Sequence, residues 1–317
     1  MLRTNPLRVA TTIPSSIQDF DGVEFQIFSS DSWSEEGRHY IPKFDPHWQL
    51  AGYMTAMALA MDADMNILLT GFQGTGKTSS VRQLCAIRNQ PLLRISCSET
   101  LAEDEFFGRY LLKDGETVWV SGPLELAARE GWAVILDEWD MARPQALTAL
   151  RGLLETGSRH LVLMGKDGKR VDVHSDFRVF GTANSIGAAR RGQFVGTNMM
   201  NPADLDRWDF TIRIDLPPVA AIKKALFSYF PDLPEGFVDN MLRVVQQVNA
   251  NVLSVEGEAV PPTDYKFGMR AILKWAKAYM LLKHPLAALM PAVLETLSPY
   301  EFTAIQGVAQ RVFGSDR

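Results

Sequence analysis

The run Gly71-Phe72-Gln73-Gly74-Thr75-Gly76-Lys77-Thr78 follows directly on the apolar stretch Asn66-Ile67-Leu68-Leu69-Thr70. The spacing predicts a buried strand that opens through a glycine-rich turn into a helix, and that order of elements makes a cradle for phosphate. The glycines let the backbone turn tightly and aim its N–H groups inward, and the following helix offers its positive end. Lys77 reaches toward the outer phosphates of a nucleoside triphosphate, Thr78 carries a hydroxyl suited to Mg²⁺, and Ser79 continues the first helical turn among the expected nucleotide contacts. ATP with Mg²⁺ is the ligand this pattern implies.

Downstream, Trp132-Ala133-Val134-Ile135-Leu136 reads as a second apolar strand and ends in Asp137-Glu138. In P-loop NTPases an acidic residue at such a strand end holds the metal's water shell, and an adjacent carboxylate orients or deprotonates the attacking water. Asp137 is therefore expected on the metal side, with Thr78, and Glu138 as the base. An apolar strand running into an acidic turn is common in any α/β protein; the cradle upstream gives this one its meaning.

With 317 residues, 46% hydrophobic and 22% charged, the chain is long enough for one large core or two ordinary ones, and its composition does not indicate disorder. A net charge of −5 supplies no broad electrostatic footprint for nucleic acid or an anionic membrane, although a local basic pore would be invisible to such a sum. Cys85 and Cys97 lack metal-ligand spacing and read as buried free thiols of a reducing compartment. The start, Met1-Leu2-Arg3-Thr4-Asn5-Pro6, lacks a signal-peptide core, and the longest nearly apolar run, Ala51 to Met61, is too short to span a bilayer, so a cytoplasmic location is expected. His39, His47, His160, His174 and His284 are scattered and read as surface or capping residues, not ligands.

Residues 1–44 read as an irregular arm anchored by Phe25, Phe28 and Trp33. A helix is expected over Pro46 to Asp62, with Leu50, Tyr53, Met54, Met57, Leu59 and Met61 on its packing side. Five strands are expected, starting near 66, 92, 132, 177 and 210, with a helix over Thr100 to Phe107. Two hairpins interrupt the alternation, one turning at Asp114-Gly115 and one near Asp167-Gly168. After Pro217-Pro218 the pattern is helical to the end, and Ser298-Pro299-Tyr300-Glu301 supplies an N-cap, an N1 proline and a capping-box acid. The expectation is an α/β nucleotide-binding domain over 45–218, built on a five-stranded parallel sheet with two inserted hairpins, followed by a small helical lid over 219–317.

Five stretches resemble the MoxR group of AAA+ ATPases: Gly71 to Thr78, Ile135-Leu136-Asp137-Glu138, Phe180-Gly181-Thr182-Ala183-Asn184, Gly196-Thr197 through Asn201 to Leu205-Asp206-Arg207-Trp208, and Gly268-Met269-Arg270-Ala271. They are most similar to the branch of the cobaltochelatase ATPase subunit (CobS-like). Gly108-Arg109-Tyr110-Leu111-Leu112, Glu116-Thr117-Val118-Trp119 and Gly122-Pro123-Leu124 resemble the CbbQ-type rubisco activase branch as well. The likeness covers the chain from about residue 40 onward.

The resemblance implies that Asn184 takes the sensor-1 place, Arg207 the arginine-finger place and Arg270 the sensor-2 place, with Arg143 and the Arg190-Arg191 pair as other finger candidates. An asparagine at a strand end also serves as a turn cap, and an arginine such as Arg207 also serves as an ion-pair partner. By the resemblance the hairpins around 109–121 and 161–173 line a ring pore and touch a client, and the bland reading is rigid surface hairpins. A finger supplied in trans needs a head-to-tail interface, hence a homohexameric ring. The function implied is Mg-dependent ATP hydrolysis that remodels a protein partner, often with a von Willebrand factor A-domain protein, or the motor of a metal-chelatase-type complex. The alternative is a nucleic-acid translocase or a phage- or defence-system motor, to which Lys166, Lys169 and Arg170 on the second hairpin would contribute. A third, non-enzymatic reading is a nucleotide-gated scaffold; Glu138 and Arg207 together argue for turnover.

Overall fold

A computed structural model describes residues 23–49, 51–97, 106–142, 150–184, 205–251 and 265–314. The described residues fall into two compact units, one within Met1–Pro46, Leu50–Gly71 and Lys77–Arg213, the other within His47–Gln49, Phe72–Gly76 and Ile214–Arg317.

The first unit is organised by five parallel strands: β1 (Ile67–Thr70), β2 (Leu92–Ser96), β5 (Ala133–Asp137), β8 (Arg178–Ala183) and β9 (Phe210–Arg213). Their order in the sheet is β2-β5-β8-β1-β9. β1, β5 and β8 are buried at every residue, and β1 and β5 accordingly read as nearly continuous apolar runs and not as alternating ones. β9 alternates between partly buried and exposed positions, as an edge strand does. The chain leaves β1 for β2 three places away, returns through β5 and β8 to the side of β1, and then lays β9 on its other side. That reversal beside β1 is where a parallel sheet opens a crevice at its carboxyl edge.

Around the sheet lie α2 (Tyr53–Asp62), α3 (Lys77–Arg88) and α4 (Pro123–Glu130), preceded by the short α1 (Glu35–His39). Helix α4 begins with proline at its first turn and ends at Gly131 in the left-handed region (φ 85°). Phe25, Phe28 and Trp33 are buried, and the arm is tied down by Phe28 N–H to Arg88 O (2.9 Å) and Leu92 N–H to Tyr40 O (3.0 Å).

The helix expected over 46–62 is shorter than its periodicity suggests. It starts at Tyr53 behind Gly52, and Leu59 is about half exposed while Met54, Met57 and Met61 are fully buried. In the second unit Trp48 lies against Gly76, with its Cη2 3.1 Å from where a Cβ on that glycine would stand, so the preceding residues are committed to the loop and not to the helix. Most of the helix expected over 100–107 lies outside the described residues.

Both hairpins form. β3 (Gly108–Lys113) pairs with β4 (Glu116–Ser121), turning through Asp114 and Gly115 at φ 52° and 82°, the pair of left-handed residues that a two-residue hairpin turn requires. β6 (His160–Leu163) pairs with β7 (Lys169–Asp172), turning through Asp167 and Gly168 at φ 53° and 69°.

The second unit is helical: α5 (Val219–Tyr229), α6 (Glu235–Asn251), α7 (Met269–Leu282), α8 (Pro285–Ala292) and α9 (Pro299–Phe313). Leu226, Met241, Trp275, Leu289 and Ile305 meet in its core. The capping box expected at Ser298 and Glu301 is present in full.

Candidate nucleotide site

The three central strands deliver their ends to one edge of the sheet. Thr70 pairs with Ala183 and Leu136 with Gly181, so Gly71, Asp137 and Asn184 all emerge at the carboxyl edge. Lys77 opens α3 and is only 7% exposed. Its Nζ donates to Gly71 O at 2.7 Å and to Asn184 Oδ1 at 2.9 Å. The ammonium is thereby held by two neutral acceptors, Gly71 O and Asn184 Oδ1. Thr78 Oγ1 donates to Asp137 Oδ1 at 2.9 Å, which joins the first helical turn to the acidic strand end.

Thr182 sets the geometry between the two acids. Its hydroxyl donates to Asp137 Oδ1 and accepts the backbone N–H of Glu138 at 2.9 Å. Glu138 is exposed and sits in the left-handed region (φ 58°, ψ 45°), a conformation that costs a non-glycine residue about 1–2 kcal/mol. Asp140, 1% exposed, accepts the Asn184 backbone N–H on Oδ2 at 2.9 Å and so fixes the base of that side chain. Beneath the acids, Cys97 N–H donates to Asp137 O at 2.8 Å; burial, reinforced by Asp137, Asp140 and Glu138, pushes the Cys97 thiol up to about 12.

Sequence reasoning did not assign roles to Thr182, Asp140 or Arg94. Arg94 donates from Nε to Asp137 Oδ2 at 2.7 Å. The signal for Thr182 was present inside the Gly181-Thr182-Ala183-Asn184 stretch; those for Asp140 and Arg94 depend on which strands are neighbours.

No cluster of three or more His, Cys, Asp or Glu side chains among the described residues could hold a metal alone. The residues present fit Mg²⁺ as phosphate sites hold it, through one hydroxyl (Thr78) and one carboxylate (Asp137), with water and phosphate completing the shell.

In the second unit, the loop tip Phe72–Gly76 is closed by Thr75 Oγ1 donating to Phe72 O at 2.9 Å. Gly74 and Gly76 take φ of 78° and 104°. Arg270 stands at the start of α7 with its backbone N–H 3.4 Å from Gly74 O, and Lys266 Nζ lies 3.9 Å from the centre of the Phe72 ring. A Cβ on Gly268 would stand 2.7 Å from Gln73 O and 2.8 Å from Gly74 O. The glycine before Met269-Arg270 is therefore a requirement of the close approach between loop and helix.

Residues 66–207 match the model of the AAA domain, dynein-related subfamily. That stretch is similar to AAA ATPase domains. The aerobic cobaltochelatase subunit CobS of a Sinorhizobium species is 25% identical over 88% of this chain and 85% of its own length. Protein NorQ of Paracoccus denitrificans is 34% identical over 46% of this chain, and Protein CbbQ of Hydrogenophilus thermoluteolus 30% identical over 44%. The chain spans about half the length of those two, 50% and 52%. These relatives make the stretch similar to AAA+ ATPases of the MoxR type.

Within residues 66–207 the remaining sequence candidates are spread apart. Arg207 precedes β9, and its carbonyl accepts from Asn66 Nδ2 at 2.9 Å, at the amino edge of the sheet. Gly71 leaves the opposite edge, about 16 Å away at ~3.3 Å per strand residue. Arg207 Nη1 lies 3.5 Å from Glu155 Oε1. The neighbouring Trp208 is buried edge-on to Trp139 and fills the space over Gly181, where a Cβ would come within 2.6 Å of its ring. Gly71, Phe72, Gln73, Gly74, Thr75, Gly76, Lys77, Thr78 and Ser79 lie on the loop or the first turn of α3, as the sequence pattern placed them. Arg143, Arg190 and Arg191 lie outside the described residues. No helix among the described residues is long and apolar enough to cross a membrane.

Proposed function

We propose that this chain is the ATP-hydrolysing subunit of a ring-shaped motor, a hexamer, that remodels a protein partner. The observation that carries the reading is the convergence of Lys77, Thr78, Asp137, Glu138 and Asn184 at one edge of the sheet. Loop amides and Lys77 grip the β- and γ-phosphates, and Thr78 with Asp137 would hold Mg²⁺. When bound, the ion offsets charge on the phosphate oxygens. Glu138 takes a proton from the attacking water onto its carboxylate, and the Asn184 carboxamide orients that water. Arg270 follows the γ-phosphate from the start of α7 and carries its loss to the helical lid over 219–317.

Arg207 cannot serve the loop of its own subunit from the amino edge. That position supports its use in trans, on the nucleotide of a neighbour, where a guanidinium offsets charge developing on the transferred phosphoryl group. The ring follows from this, because head-to-tail contacts close when the rotation permits. Mixing Lys77→Ala and Arg207→Ala proteins, each inactive alone, is the test: partial recovery of ATPase activity supports the shared site, and activity no greater than the sum of the two contradicts it.

The hairpins support a protein client. Leu112 and Met164 are 77% and 76% exposed at their tips, an apolar offering in reach of a polypeptide. A von Willebrand factor A-domain partner, and a place as motor in a metal-chelatase-type complex, belong to this proposal through the likeness to CobS. The two unpaired, buried cysteines suit a cytoplasmic location. The nucleic-acid reading draws on the exposed Lys169 and Arg170, but Lys166 is engaged 5.1 Å over the Trp119 ring. ATPase stimulation by DNA or RNA that falls steeply with salt would favour that reading over a protein client.

A further inference from the structure

Asp137 carries a partner that a metal-shell carboxylate does not need. Its Oδ1 accepts from Thr78 and Thr182. Its Oδ2 accepts from Arg94 Nε at 2.7 Å and pairs with Arg94 Nη2 at 2.5 Å, so two arms of the guanidinium fork close on a single oxygen. The pair is lopsided: the Asp137 side chain is 6% exposed and that of Arg94 61%. Arg94 lies on β2, beside β5, on the side of the strand that faces solvent.

We propose that Arg94 is a displaceable counter-ion, holding Asp137 in the metal-free state and giving way when Mg²⁺ arrives with nucleotide. The inference rests on the nucleotide-site reading above. A carboxylate this buried is costly without a compensating charge, and the guanidinium supplies one while the site is empty of metal. A divalent ion with its water shell claims the same oxygen lone pairs and repels a cation beside them. Arg94 can leave without repacking anything, because its head already reaches water and its stem is unbranched. Metal loading is then an exchange, Mg²⁺ for guanidinium, and Arg94 sets the Mg²⁺ concentration at which the site fills. Thr78 and Thr182 remain on Oδ1 throughout and keep the carboxylate from rotating as the exchange occurs.

The test is binding of a fluorescent N-methylanthraniloyl ATP to the full chain, titrated with MgCl₂ and repeated in EDTA, for the wild type, Arg94→Gln and Arg94→Lys. Arg94→Gln is expected to lower the Mg²⁺ concentration for half-maximal binding about fivefold, the equivalent of one ion pair with a solvent-exposed partner, and to leave the affinity in EDTA within about twofold. Arg94→Lys, which keeps the charge and loses the fork, should fall between. Thermal melting gives a second readout: Arg94→Gln should melt lower than wild type in EDTA and match it once Mg²⁺ and nucleotide are present. An unchanged or raised Mg²⁺ requirement in Arg94→Gln overturns the proposal. So does an equal loss of affinity in EDTA, which would make Arg94 a phosphate ligand. If the wild type binds no nucleotide at any Mg²⁺ concentration and behaves as Lys77→Ala does, the nucleotide-site reading falls and the exchange with it.

Discussion

Lys77 and Asn184 are 107 residues apart in the chain and meet at 2.9 Å. The contact joins the loop that follows β1 to the end of β8, two adjacent strands, and it gives the two residues separable roles. On the proposed reading Lys77 would donate charge-assisted hydrogen bonds to phosphate in any nucleotide state, whereas Asn184 would be needed only when water attacks. Lys77→Ala should therefore weaken ATP affinity about tenfold or more. Asn184→Ala should keep most of that affinity and lose roughly a hundredfold in kcat, the scale for removing one aligned polar group from a transition state. Calorimetric titration alongside steady-state ATPase assays separates the two.

Thr182 is predicted to matter for stability and turnover alike, because one hydroxyl both donates to Asp137 and holds the N–H of Glu138. Thr182→Val preserves shape and should cost about 1–3 kcal/mol in unfolding free energy, while releasing Glu138 from its left-handed conformation. Thr182→Ser retains the hydroxyl and should recover most of both. Urea midpoints and kcat for the three proteins check this.

Gly268→Ala places a Cβ within 2.8 Å of the loop backbone. The overpacking should cost about 1–3 kcal/mol at that contact and surface as roughly tenfold weaker nucleotide binding, with helix content by circular dichroism unchanged.

The thiols make a prediction in pH. Burial pushes Cys85 and Cys97 up from an ordinary value of 9.0 to about 12. An unfolded chain loses these protons near pH 9 and the folded one does not, so the unfolded state binds fewer protons between pH 9 and 12 and stability falls across that window. Below pH 9 the two thiols should leave the stability curve flat. Replacing both with alanine should remove part of the alkaline slope in urea denaturation, and a thiol reagent at pH 8 should label neither cysteine until the chain unfolds.

Much of the site was legible because its signals are local. The loop glycines, the apolar strands and the left-handed Asp-Gly turns announce themselves within a few residues, and Ser298 with Glu301 close their capping box within one helical turn. What the sequence concealed depends on neighbours distant along the chain. Helix α2 starts at Tyr53 and not near Pro46 because Trp48 is claimed by Gly76 in a loop further on. Arg94 reaches Asp137 only because β2 lies beside β5, an order that spacing does not encode. Arg207 was legible as a candidate, and only the parallel register of β1 and β9 places it at the edge away from its own loop.

The account turns on Glu138 as the base for water at a nucleotide held by Lys77. The direct measurement is ATP turnover by purified Glu138→Gln, paired with its ATP affinity in Mg²⁺. The account predicts affinity within about threefold of wild type and turnover reduced at least about a hundredfold, the scale of general-base catalysis. Hydrolysis by Glu138→Gln at the wild-type rate would contradict it.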